Sequence, residues 1–302
     1  MRTRVLVSAY PYLLARAGLA ALHFRRRGGP GGVFADFGRS IGARLLIRGY
    51  GIGAELLLQP VESLRYFEFP FALSCCPHAP QRCLDVSSPR LFSLYVAHQY
   101  PGTAVRMINP DEGDIATTAT IARTLRIGNL QCDVSGVDAV AAGRARYDCI
   151  WSISVVEHIA GAYEDREAVR WMYDALAEGG RLILTVPVDR TFREEYRDTR
   201  YYGTQPAVDG RYFFQRLYDR AGIWERIVGP IGREPAVVTW FGERTPGHFA
   251  AYERRWMRRD FFATVDDPRD IADHYTTFPS WESMPGQGVC GLMFEKRSGE
   301  WG

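Results

Sequence analysis

Glu157 and His158, in the run VVEHI (155–159), set an acid beside the side chain best suited to taking a proton near neutral pH. Such a pair could deprotonate a hydroxyl or an amine, or it could only orient the loop that it begins. Two acids close short apolar runs: Asp85 in RCLDV (82–86) and Asp133 in LQCDV (130–134). A carboxylate at the end of an apolar strand is costly unless it meets a ligand or caps nearby backbone. Asp85 is therefore read as facing a ligand, with capping of its own loop as the alternative. For Asp133 the alternative is a turn-forming role before Ser135-Gly136. Farther on, Tyr196, Arg197, Arg200, Tyr201, Tyr202, Tyr212 and Arg216 crowd one segment. Arginines and aromatic rings in that density could line a pocket that grips a carboxylate or phosphate in bidentate fashion, or a surface segment held by its own contacts.

The elements that must position these residues alternate from Arg82 onward. The strands expected are 82–86, 104–109, 130–134, 147–154 and 180–188, with helices at 91–98, 115–126 and 165–177, the last stopped by Gly179-Gly180. Short apolar strands separated by helices predict an α/β fold, a Rossmann-like, doubly wound parallel sheet with ligand sites at the carboxyl ends of the strands. Two later strands, 235–242 and 288–296, flank an aromatic, charged insertion at 243–287. The spacing of FFQRLYD suggests a helix that buries Phe213, Phe214 and Leu217. Residues 1–79 are expected to form a helical extension broken at RRRGGPGG (25–32), residues 80–302 the sheet domain, and 189–220 its acceptor-side segment.

Composition narrows the classes. The chain has 302 residues, 46% of them hydrophobic, and a net charge of +2, which gives no pull toward nucleic acid. Its six cysteines form no C-x-x-C pair and no cluster at metal spacing, so no metal and no disulfide framework is expected, and a reducing cytoplasm fits. The N-terminal run MRTRVLVSAYPYLLARAGLAALHFRRR suits an amphipathic helix packed on its own domain; peripheral contact with a membrane is the second reading. Nothing in the chain fixes an oligomeric state.

The strand-four stretch YDCIWSISVVEHI, followed by ALAEGGRLILTVPV, resembles class I S-adenosylmethionine-dependent methyltransferases over about residues 80–190. The resemblance implies a seven-stranded sheet with its last strand antiparallel and S-adenosylmethionine as cofactor. It places Asp85 as the first-strand acid and the loop of Ser87, Ser88, Pro89 and Arg90 at the methionine end. Asn109 falls at the ribose position, with Asp111 two residues on as a possible substitute acid, and Asp133 and Val134 fall beside the adenine. Ser152 to His158 would border the sulfonium and the acceptor.

Two departures stand out. Ser87, Pro89 and Leu91 occupy the three glycine positions of the cofactor turn, and Asn109 replaces the ribose acid. Ser88 suits a helix N-cap and Pro89 a first helical turn. The activity implied is methyl transfer to an oxygen or nitrogen of a small polar, anionic or lipid-linked acceptor. One variant would use the sulfonium to promote a cyclisation. The alternative is a methyltransferase-like binding or scaffold subunit without methyl transfer.

Overall fold

A computed structural model describes residues 2–201, 206–258 and 264–297, with residues 2–8 described by backbone alone. Its centre is a sheet of eight strands: β1 (Arg82–Val86), β2 (Ala104–Asn109), β3 (Leu130–Val134), β4 (Tyr147–Ile153), β5 (Leu176–Val188), β9 (Val237–Glu243), β10 (Tyr275–Phe278) and β11 (Gly288–Glu295). They lie side by side as β10-β9-β11-β5-β4-β1-β2-β3. Strands β1 to β5 run parallel, and β11 is antiparallel to both β5 and β9. The seven expected strands are thus present, and the insertion adds an eighth, β10, on the edge of β9.

Both faces are covered, as the unbroken apolar strands require. On one face lie α2 (Gly32–Ile47), α4 (Arg65–Cys75), α5 (Arg90–Gln99) and α6 (Glu112–Leu125); on the other, α7 (Asp138–Ala142) and α8 (Asp165–Asp174), with α9 (Arg220–Ile223) and its π-helical continuation Trp224–Val228. The N-terminal helices share the first core. Phe34 and Phe69 pack with Phe92 of α5, and Phe92 meets the buried Trp151 of β4 edge-on. Helix α1 (Arg2–Arg26) buries Leu13, Ala17, Ala20 and Phe24, so it is packed on its own domain.

Two local expectations are corrected. Helix α8 ends at Asp174, and strand β5 begins at Leu176 with a register shift between Tyr147 and Cys149 of its partner. Gly179 (φ +73°) and Gly180 lie inside this irregular strand start, which Lys296 clasps: its carbonyl accepts from Gly179 N–H (2.6 Å) and its N–H donates to Gly180 O (2.9 Å). A Cβ on Gly180 would come within 2.8 Å of Tyr147 O, so this pair serves strand packing and does not stop a helix. The second correction is FFQRLYD, most of which lies in a strand, β8 (Arg211–Leu217), between β6 (Arg193–Arg197) and β7 (Ala207–Val208). Phe213, Phe214 and Leu217 are buried as expected, but pairing with β6 overrides the helical spacing.

Candidate functional site

The turn between β1 and α5 has no glycine, yet it makes the turn that glycine normally permits. Ser87 sits at φ +57°, the left-handed region, which costs a non-glycine residue roughly 1 to 2 kcal/mol. Its N–H and its hydroxyl both donate to Ile108 O of β2, at 2.8 and 3.1 Å, which offsets that cost. Ser88 is buried, and its Oγ accepts from Ile153 N–H of β4 (2.9 Å) instead of capping α5; the N-cap is Pro89. Ser152 Oγ donates to Val86 O (3.1 Å), so this hydroxyl joins β4 to β1 beneath the loop.

Asp85 lies under the same loop, fully buried. Its Oδ1 accepts from Ser88 N–H (2.9 Å), its Oδ2 accepts from Ser93 Oγ, and Ser93 Oγ accepts from Trp151 Nε1 (3.1 Å). Burial pushes its pKa up to about 6, against the pull of the Ser93 and Ser88 bonds. The capping alternative therefore describes what this carboxylate does: it holds the turn from below.

At the end of β2, Asn109 Oδ1 accepts from Asp111 N–H (2.9 Å), while Asp111 Oδ1 caps α6 by accepting from Asp114 N–H (2.9 Å). The acid beside Asn109 is Asp114, whose Oδ2 accepts from Asn109 Nδ2 (3.0 Å) and whose Oδ1 is paired with Arg90 of the β1 turn. Sequence spacing did not single out Asp114. It lies five residues past the strand end, and only the first turn of α6 brings it back. At the end of β3, Asp133 is held by Arg106 Nε (2.6 Å) and Gln131 Nε2 (2.9 Å), while Val134 is 52% exposed.

Beyond β4 the backbone turns at Ser154 (φ +50°), whose N–H donates to Thr185 Oγ1 (3.0 Å). Both hydroxyls, of Ser154 and Thr185, donate to Oε1 of Glu68, a buried acid that α4 delivers from the N-terminal extension. Glu157 is buried, with Oε2 lacking a hydrogen-bond partner among the described residues. Burial holds its pKa well above the carboxylate range, and the charge of Glu68 adds to that shift. His158 Nδ1–H donates to Phe214 O (2.6 Å), and its Nε2 lies 3.8 Å from Glu157 Oε1. Burial pushes the imidazole pKa down to about 4, against the Phe214 bond. Burial thus disfavours the charged form of both side chains, the carboxylate of Glu157 and the imidazolium of His158.

Arg197 and Arg216 of the 189–220 segment are already paired. Arg197 reaches Glu195 (3.2 Å) and Glu253 (2.5 Å) over the Phe214 ring, and Arg216 is buried among Glu194, Asp165 and Ile159 O. Arg200 lies over the Tyr212 ring (4.9 Å) and Tyr201 stacks on Trp256; Tyr196 OH donates to Glu194 (2.9 Å), and Tyr202 lies outside the described residues. Glu253 and Trp256 come from the helix His248–Met257 of the insertion, a contribution the sequence pattern did not mark. Around the β1 turn, then, the structure gathers Asp85, Ser87, Ser88, Pro89 and Ser152, with Asn109 and Asp111 at the neighbouring strand end; Glu157 and His158 group with Phe214, while Asp133 pairs with Arg106.

No protein-family model matches the sequence, and no curated protein matches it. Among solved structures, coclaurine N-methyltransferase bound to N-methylheliamine and S-adenosylhomocysteine superposes with a TM-score of 0.50 at 11% identity, over 75% of this chain and 68% of that one. The [4+2]-cyclase SpnF gives 0.48 at 16% identity (76% and 80%). The geranyl diphosphate C-methyltransferase from Streptomyces coelicolor A3(2), in complex with Mg2+, geranyl diphosphate and S-adenosylhomocysteine, gives 0.48 at 12% identity (76% and 77%). The chain has the class I methyltransferase fold.

Proposed function

We propose that this chain is an S-adenosylmethionine-dependent methyltransferase acting on an oxygen or nitrogen of a small polar acceptor. The observation that carries the reading is Ser87: a non-glycine residue is kept left-handed at the carboxyl end of β1, in the turn that faces the cofactor in this fold. The surrounding residues fit the group. Asp114, with Asn109 beside it and Arg90 paired to its other oxygen, supplies a carboxylate for ribose hydroxyls; Val134 offers an exposed apolar surface to a purine. Asp85, Ser88 and Ser152 serve this site by fixing the turn.

When bound, the cofactor supplies an electrophilic methyl group on a sulfonium. The chain's part is then positioning, because displacement at a methyl carbon needs mainly an aligned nucleophile. Glu157 and His158 would orient the acceptor's hydroxyl or amine, and Glu68 would fix the Ser154 turn beside it. Since Arg197 and Arg216 are matched by glutamates and aspartate, a neutral or amine-bearing acceptor is favoured over an anionic one. The test is transfer of a labelled methyl group from S-adenosylmethionine into a panel of small amines, alcohols and phenols. Labelled product that Asp114→Ala diminishes supports the reading; no transfer to any class, with no binding of S-adenosylmethionine, favours the scaffold alternative.

The N-terminal helices carry a separate proposal. Tyr12, Leu19 and Leu22 of α1 and Leu46 and Ile47 of α2 are exposed, and the same helices end in Arg25, Arg26 and Arg48, a composition that favours peripheral contact with an anionic membrane surface and a lipid-linked acceptor. Sedimentation with anionic vesicles supports this if Leu19→Glu reduces it, and absence of co-sedimentation removes it.

A further inference from the structure

At the far flank of the sheet's carboxyl edge, a cavity of about 140 Å³ lies between the helix His248–Met257, the helix Asp267–His274 and the start of β10, closed on the N-terminal side by Ser63. Two of its lining residues present buried polar atoms with no hydrogen-bond partner among the described residues. Asp267, 1% exposed, accepts at Oδ2 from Gln59 Nε2 (2.9 Å) and Ser63 N–H (3.3 Å), while Oδ1 receives nothing. Arg255 donates from one terminal nitrogen to Asp270 Oδ2 (2.6 Å), while its Nε, also buried, has no acceptor. One orphan acceptor and one orphan donor thus belong to residues lining the same cavity, and each is costly while unmet. A molecule carrying a donor and an acceptor would satisfy both.

The rest of the wall says which donor. Among the described lining residues Asp267 and Asp270 meet a single arginine, already committed to Asp270, so the uncompensated group there is a carboxyl. Tyr252 and Tyr275 add aromatic faces that favour a cation, beside the stacked rings of His248 and His274, 3.8 Å apart. We propose that this cavity is a second ligand site, for a small molecule with an ammonium group directed at Asp267 and an oxygen acceptor directed at Arg255: an amino acid or an amino alcohol. The cavity lies beside β10, four strand spacings, about 19 Å, from β4, on the helix His248–Met257 that also sends Glu253 to Arg197. It joins the N-terminal helices to the insertion, a junction also made by Arg16 with Asp266 and His23 with Asp273 (2.8 Å).

The experiment titrates the full chain with glycine and with ethanolamine, using acetate and glycerol as controls and following the His248 and His274 imidazole resonances. Saturable binding of glycine or ethanolamine is expected, weakened about tenfold or more by Asp267→Asn and by Arg255→Met, with S-adenosylhomocysteine affinity unchanged. Preference between the two probes tells amino acid from amino alcohol. The proposal is overturned if neither probe binds, if acetate or glycerol binds as well, or if both variants bind normally. Should Asp267→Asn fail to fold, Arg255→Met and Tyr252→Leu, which removes an aromatic face, carry the same test.

Discussion

Replacing Asp85 with asparagine removes a buried charge and keeps nearly the same shape. In the folded chain the acid titrates at about 6, against 3.8 for the free side chain, because burial disfavours its charged form. Between those values the folded state holds a proton that the unfolded state has released, so the native carboxyl loses stability as pH rises through this window. The gap corresponds to about 3 kcal/mol, fully lost above pH 6 to 7. Asparagine has no such dependence. Its Oδ1 can still accept from Ser88 N–H, while its amide meets Ser93 Oγ, which already accepts from Trp151, for a pH-independent cost of about 1 kcal/mol. The stability difference between the two proteins should therefore drift toward the variant by about 2 kcal/mol between about pH 4.5 and pH 8. Urea unfolding of both proteins across that range measures it. A difference that stays constant with pH would refute the burial of a titrating carboxyl under the turn.

His158 works in the opposite sense: its folded pKa of about 4 lies below the ordinary 6.5, so stability rises with pH across that interval by about 3 kcal/mol relative to His158→Gln, and the imidazole resonances should show no titration between about pH 5.5 and pH 8. Gly180→Ala should cost about 1 to 3 kcal/mol in denaturant unfolding, because the added methyl meets the backbone oxygens of Ala177 and Tyr147 at 2.8 Å. Arg216→Met strips a buried cation from Glu194 and Asp165 and should cost about 3 to 5 kcal/mol; a loss under 1 kcal/mol would mean that Arg226 alone compensates Asp165.

The sheet was legible because its strands are continuous apolar runs, and five of the seven expected strands match within a residue or so of their ends. What failed was local. Gly179-Gly180 looks like a helix stop in any linear reading, and only the clasp by Lys296 turns it into an irregular strand start. RYFFQRL has aromatic residues at helical spacing, but its pairing with β6 is a contact between distant residues that no window of sequence contains.

The site divided in the same way. Asp85, Ser87, Ser88 and Ser152 do meet, since strand order alone brings the ends of β1 and β4 together. Their hydrogen bonds, however, tie the turn to itself and to its neighbours: Asp85 to Ser88 N–H and Ser93 Oγ, Ser87 to Ile108 O, Ser88 to Ile153 N–H and Ser152 to Val86 O. Asp114, Glu68, Glu253 and Trp256 were invisible because a helix turn, the N-terminal extension and the insertion each deliver them from outside the motif stretch.

The most direct test of the account is calorimetric titration of the full chain with S-adenosylhomocysteine. A left-handed Ser87 turn flanked by Asp114 and Arg90 predicts saturable binding of one equivalent, weakened about tenfold or more by Asp114→Ala while the unfolding midpoint stays near that of the parent. Absence of binding at millimolar concentration, by a chain that is folded, would contradict the claim that this glycine-free turn still holds a methyl donor.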